Sequence, residues 1–102
     1  MSVTVVRYRT KPERADENQA LIEDVFAELA TTKPDGLRYT SVRLDDGVSF
    51  LHVAIVDTAD GANPLTEITA FKEFTREIAD RCDEPPVATP GTVVGAYGFG
   101  GA

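Results

Sequence analysis

The dipeptide Asp46-Gly47 lies between two runs of strand-forming residues and constrains the fold more than any other feature of the sequence. Asp-Gly favours the tight turns of β-hairpins, in which the central residues adopt positive φ angles. It predicts two antiparallel strands, residues 37–45 and 48–57, joined by a two-residue turn. Because alternate side chains of a strand point the same way, this register predicts which residues share a face. They are Leu37, Tyr39, Ser41 and Arg43 on the first strand, opposite Val56, Ala54, His52 and Phe50 on the second.

The first third of the chain predicts one strand and one helix. Residues 3–9 are rich in β-branched and aromatic residues, and Lys11-Pro12 ends this first strand because proline cannot donate a ladder hydrogen bond. In residues 14–30 apolar side chains recur every three or four positions, which predicts a helix with Asp16 and Gln19 as a capping pair. The acidic residues of this helix are predicted to form a solvated face: Glu17, Glu23, Asp24 and Glu28.

The last third predicts a second helix and a fourth strand. Asn63-Pro64 is typical of a helix start, and an apolar stripe then continues to Cys82, with Glu77 and Arg81 spaced to pair. Residues 83–90 are predicted as a connection, residues 92–99 as a strand and residues 98–102 as a mobile tail. The 102 residues thus predict a single α+β domain of order βαββαβ, residues 1–102, with a four-stranded antiparallel sheet.

Both faces of the predicted hairpin are largely apolar. The face opposite His52 carries Arg38, Thr40, Val42 and Leu44 beside Ser49, Leu51, Val53 and Ile55. Two helices cover only one face of a four-stranded sheet, and soluble monomers rarely expose a large apolar patch. The sequence therefore predicts a homodimer in which a second copy covers the open face.

The charge and residue counts exclude several classes of partner and site. The chain has 17 acidic and 10 basic residues, a net charge of −7, so we expect neither nucleic acid nor membrane as a partner. The N-terminus has no signal-peptide pattern and no stretch is apolar enough to span a membrane, so we expect a cytoplasmic protein. One cysteine excludes an internal disulfide, and one histidine with one cysteine does not suit a zinc or iron site.

His52 is the residue on which any chemistry would depend. It shares a face with Ser41 and Tyr39 in an otherwise apolar region, so burial is expected to keep its ring neutral. Two interpretations remain open: a pocket in which His52 and Tyr39 orient a ligand, or a histidine that is hydrogen-bonded only for stability. A Ser41–His52 nucleophile is disfavoured because no acidic residue is placed to orient the imidazole.

The element order, the Lys11-Pro12 end of the first strand and a third strand leading to a long second helix resemble the dimeric α/β-barrel superfamily with its ferredoxin-like fold. The branch it most resembles is that of the antibiotic biosynthesis monooxygenases. In catalytic members the third strand holds an Asn and, four residues later, a Trp. His52 falls at the Asn position and Val56 at the Trp position, and the chain contains no tryptophan.

This resemblance implies an oxidoreductase that acts on aromatic or quinol-type molecules without a flavin or metal cofactor of its own. It also implies a pocket between sheet and helices, with His52 as the catalytic residue and Tyr39, Ser41, Phe71 and Phe74 as substrate-binding residues. Two alternatives stay open because fold does not determine function. One is a ligand-binding or stress-associated dimer without turnover, and the other is an isomerase-like enzyme in which His52 transfers a proton.

Overall fold

The computed structural model describes residues 1–98. Its strands are β1 (Ser2–Thr10), β2 (Leu37–Arg43), β3 (Ser49–Val56) and β4 (Cys82–Gly91), and its helices are α1 (Ala15–Thr32), α2 (Thr69–Arg76) and α3 (Ile78–Arg81). The strands form one antiparallel sheet in the order β2-β3-β1-β4. This confirms the predicted ferredoxin-like βαββαβ fold. Among the described residues no helix is long and apolar enough to cross a membrane.

The hairpin register is confirmed, although its turn differs from the predicted one. Ser41 pairs with His52 and Arg43 with Phe50. The turn is closed by a hydrogen bond from the Gly47 amide to the Leu44 carbonyl, and Gly47 adopts a φ of 79° whereas Asp46 does not have a positive φ. The Asp46 carboxylate instead accepts hydrogen bonds from the backbone amides that follow the turn.

The predicted position of the fourth strand was wrong. Residues 82–91, expected mainly as a connection, form β4 and pair with β1. Its prolines are tolerated because β4 is an edge strand, in which half of the backbone amides need no partner in the sheet. Residues 92–98 form no strand, and Tyr97, within the segment predicted as the strand, is 99% exposed. Phe99 and most of the predicted tail lie outside the described residues.

Both helical regions differ from the prediction. A 3₁₀ turn, Pro12–Arg14, precedes α1, and Asp16 and Gln19 accept hydrogen bonds from Arg43 instead of capping the helix. The second helix is divided into a 3₁₀ turn (Pro64–Glu67), α2 and α3, although Asn63 caps its start as predicted by accepting from the Leu65 amide.

Glu28 does not belong to a purely solvated face. Its carboxylate accepts hydrogen bonds from the backbone amides of Thr69 and Ala70, at 3.0 and 2.9 Å. These amides begin α2, where a helix has unpaired donors and favours negative charge. Glu28 therefore attaches the start of α2 to α1.

The helices cover the sheet face that carries His52. Tyr8, Phe50 and Ala54 from this face form a buried core with Val25 of α1 and Phe74 of α2. The opposite face stays open: the Val42 and Val87 side chains are 43% and 63% exposed, and Leu51, Val53 and Ile55 are half-buried. The fold thus places His52 between sheet and helices, a choice that strand alternation alone left undecided.

Candidate functional site

His52 lies in the middle of β3, 3% exposed, with hydroxyl groups at both ring nitrogens. The Tyr8 Oη lies 2.7 Å from Nε2. Nδ1 is 2.7 Å from the Ser41 Oγ and 2.8 Å from the Tyr39 Oη. The structure therefore brings together His52, Tyr39 and Ser41, as the hairpin register predicted, and adds Tyr8 from β1.

A buried chain of hydrogen bonds continues from Tyr8 to α1 and α3. Asn18 Nδ2 donates to the Tyr8 Oη at 2.8 Å, and Arg81 Nε donates to Asn18 Oδ1 at 3.1 Å. Arg81 also donates to the Phe74 carbonyl at 2.6 Å, and its guanidinium lies 5.4 Å from the centre of the Phe74 ring. Arg81 is only 2% exposed, so the predicted surface pair with Glu77 is wrong: its side chain points into the core.

These contacts define the direction of each hydrogen bond. Because Arg81 can only donate, Asn18 Oδ1 is the acceptor and Asn18 Nδ2 donates to Tyr8. The Tyr8 proton then has one acceptor among the described residues, His52 Nε2. His52 is therefore protonated at Nδ1, which donates to the hydroxyl groups of Ser41 and Tyr39.

The site is uncharged at neutral pH apart from Arg81. Burial lowers the pKa of His52 to about 4, which confirms the expected neutral imidazole. Burial raises the pKa of Tyr8 and of Tyr39, so both phenols keep their protons. The site can therefore exchange protons along neutral hydrogen bonds without a standing charge at His52.

A cavity of about 250 Å³ opens beside this network, between the sheet and α2. Tyr8, Tyr39 and His52 line it from the sheet, and Phe71 and Phe74 line it from α2. The His52 and Phe74 ring centres are 5.4 Å apart, and those of Tyr39 and Phe71 are 6.4 Å apart. Ser41, also predicted to bind substrate, does not line this cavity.

Sequence reasoning missed Tyr8, Asn18 and Arg81. Asn18 is one helical turn before Ile22 on the apolar stripe of α1, so its position signalled a buried polar side chain. Arg81 lies seven positions after Phe74 on the apolar stripe of the predicted second helix, so its position likewise indicated a buried polar side chain. No sequence pattern indicated Tyr8, because its proximity to His52 depends on the pairing of β1 with β3.

The geometry of the described residues supports neither a metal site nor a Ser–His catalytic triad. Within residues 1–98 no three His, Cys, Asp or Glu side chains are arranged to hold a metal ion. Ser41 contacts Nδ1 of His52, but Nε2 is hydrogen-bonded to the Tyr8 hydroxyl, at the position where a catalytic triad would have a carboxylate.

No model of a known protein family matches the chain, and neither does any curated protein sequence. Solved structures do match it. A candidate antibiotic biosynthesis monooxygenase from Nitrosomonas europaea superposes with a TM-score of 0.75 at 18% identity, over 92% of this chain and 99% of that one. A second candidate, from Bacteroides thetaiotaomicron, gives 0.73 at 17% identity, over 91% of this chain and 89% of that one.

A variant of SnoaB, a cofactor-independent oxygenase from Streptomyces nogalater, gives a TM-score of 0.68 at 15% identity, over 95% of this chain and 96% of that one. The chain therefore has the fold of these structures over more than nine-tenths of its length. At such identities the likeness concerns the fold, and the chemistry has to be argued from the site itself.

Proposed function

We propose that the protein is a cofactor-independent, monooxygenase-like oxidoreductase that binds a small aromatic or quinol-type molecule in the cavity beside His52. The observation that carries this proposal is the composition of the cavity: aromatic rings on α2 face two phenols and a neutral imidazole on the sheet. An engineered cavity of about 150 Å³ holds benzene. The present one, about 250 Å³, suits one or two fused rings.

The network suits removal of a proton from a phenolic ligand. The Tyr8 oxygen accepts from Asn18 and donates to His52, so one lone pair remains for a ligand hydroxyl. Loss of the phenolic proton makes an aromatic ring electron-rich enough to react with oxygen, and the substrate itself then supplies the electrons. With naphthohydroquinone, one oxygen atom would enter the ring and the other would leave as water with two substrate hydrogens, giving hydroxynaphthoquinone.

A second copy of the chain is the partner that we propose for the open sheet face. On that face Val3, Val5, Leu51, Val53 and Ile55 lie outside the buried core cluster. Stacking two sheets face to face would bury this apolar surface. Sedimentation equilibrium at micromolar concentration should give twice the chain mass, and a monomer under these conditions would contradict the proposal.

The proposed function is tested with two probes, naphthol for binding and naphthohydroquinone for oxygen uptake, with spontaneous oxidation subtracted. Wild type should bind naphthol and form hydroxynaphthoquinone. Ala54→Leu should abolish both, because the added atoms fill the cavity that Ala54 lines. Ile55→Leu, the neighbouring change on the opposite face, is the matched control and should leave both intact.

The partners of His52 also favour a second candidate, a binding protein without turnover. Both ring nitrogens already have hydroxyl partners within the chain, so stability alone can account for the histidine. Naphthol binding without oxygen uptake would favour this candidate. Binding with deuterium exchange into the ligand under nitrogen would favour isomerase-like proton transfer.

A further inference from the structure

We propose that Ser41 is the outlet of a proton path that runs from the cavity through Tyr8 and His52 to a groove on the outer surface. This inference rests on the proposed function, because the proton must come from a phenolic ligand in the cavity. It assigns a role to the one predicted site residue that the cavity does not include.

The path connects two separate spaces. Ser41 lines a groove between α1 and β2, together with Gln19, Ile22, Phe26 and Phe50, and this groove shares no lining residue with the cavity. Ser41 is also the cross-strand partner of His52. The ring of His52 therefore lies between the cavity, which it lines, and Ser41, which lines the outer groove.

The two transfers between protein groups use hydrogen bonds that already exist. The ligand O–H bond breaks as its proton binds the Tyr8 oxygen, and the original Tyr8 proton passes to His52 Nε2 over 2.7 Å. The Nδ1–H bond breaks as its proton binds the Ser41 oxygen, again over 2.7 Å, and the original Ser41 proton passes to water in the groove. One proton has left the ligand, and His52 is neutral in its other tautomer. The later step that forms water takes one proton back along the same path: it enters from the groove through Ser41 to Nδ1, and the Nε2 proton passes to Tyr8 and from there to the reduced oxygen, which restores the starting tautomer.

Ser41 is the outlet because the other hydroxyl at Nδ1 leads back to the ligand. Tyr39 lines the cavity as well as a second surface groove beside Phe26 and Leu29, so a proton passed to its oxygen is not separated from the substrate, whereas Ser41 lines the outer groove and not the cavity. Storage of the proton on His52 is also unfavourable, because the ring is 3% exposed and the buried cation Arg81 is connected to Tyr8 through Asn18. A path outward through Ser41 avoids both problems.

The experiment compares Ser41→Ala, Ser41→Thr and a control, Gln19→Ala, which changes the same groove away from His52. Ser41→Ala should fold, because Tyr39 still accepts from Nδ1. It should bind naphthol as wild type does but consume oxygen with naphthohydroquinone about 10²-fold more slowly, since proton transfer contributes at least this much. Ser41→Thr should restore the rate, and a larger rate ratio between H₂O and D₂O should accompany the loss in Ser41→Ala.

The outcomes distinguish this inference from the proposed function. If wild type binds naphthol and consumes oxygen while Ser41→Ala does so at the same rate, the outlet is refuted and the function stands. If Ser41→Thr is as slow as Ser41→Ala, or if Gln19→Ala is equally slow, the hydroxyl group is not the cause and the outlet is again refuted. If wild type neither binds naphthol nor consumes oxygen, both proposals fail.

Discussion

The buried, neutral state of His52 predicts how the stability of the protein depends on pH. His52 is the only histidine of the chain, and burial lowers its pKa from 6.5 to about 4. Between these values the unfolded chain binds a proton at His52 that the folded chain does not. The free energy of unfolding is therefore unaffected by His52 above its ordinary pKa and falls as the pH falls through this window.

The size of the loss follows from the two pKa values. Each pKa unit corresponds to about 1.4 kcal/mol, so acidification from about pH 7 to about pH 4.5 should cost about 2 kcal/mol through His52 alone. Asp46 becomes protonated only below this pH window. Hydrogen bonds from the Ser49 hydroxyl and from the amides of Ser49 and Val48 hold the pKa of its carboxyl at about 2. The pKa of the Glu17 carboxyl is also lowered, by its hydrogen bond with Arg14, so the histidine contribution is isolated by comparison with a variant that lacks His52.

Urea unfolding of wild type and His52→Asn at both pH values measures the effect. The variant loses hydrogen bonds and should be less stable throughout, but acidification should destabilise it by about 2 kcal/mol less than wild type. Both proteins are compared at one concentration so that association contributes equally. If the two proteins lose the same stability on acidification, His52 is not held neutral by burial, and the description of the site given above is wrong.

Three further changes test other parts of the structure. Glu28→Gln should reduce the free energy of unfolding by about 1 kcal/mol and speed hydrogen exchange of the first amides of α2, because the charged cap is lost; Glu23→Gln on the exposed side of α1 should do neither. Gly36→Ala should cost about 1–3 kcal/mol, because φ is 78° and the new Cβ would lie 2.6 Å from a backbone oxygen. Gly61→Ala has a similar φ of 76° but open space around it, so urea unfolding should show a smaller loss. Val53→Asp should produce a folded monomer on sedimentation, because the side chain lies on the open face; a stable dimer with this change would place the interface elsewhere.

The hairpin was predictable because the residues that specify it are close together in the sequence. Asp46 and Gly47 determine where the chain reverses, and the alternation of side chains then follows from counting. The pairing of Ser41 with His52 agrees with that count even though the turn is built around a single positive φ, at Gly47. The observed strands stop short of the turn, at Arg43 and Ser49, but the pairing offset between them is the predicted one, so the same side chains lie opposite each other.

The fourth strand was not predictable in this way. Pro85, Pro86 and Pro90 disfavour a strand, whereas Val93 and Val94 favour one, so local propensity points to the wrong segment. Pairing with β1 decides the outcome, and that pairing joins residues about 80 positions apart, such as Val6 and Ala88. No local pattern shows that this edge of the sheet accepts a proline-containing strand.

The site likewise combines residues that are close together in the sequence with residues that only the folded chain brings together. Tyr39, Ser41 and His52 come from one hairpin, and the sequence placed them together. Tyr8 and Asn18 come from β1 and α1, and they reach His52 only after the sheet has formed and α1 has packed on it. The residues that determine which ring nitrogen of His52 is protonated are thus the ones that the hairpin does not supply. A peptide of the hairpin alone would place Ser41 near the imidazole but would lack the Tyr8 hydroxyl at Nε2, so the choice of protonated ring nitrogen is a property of the assembled fold.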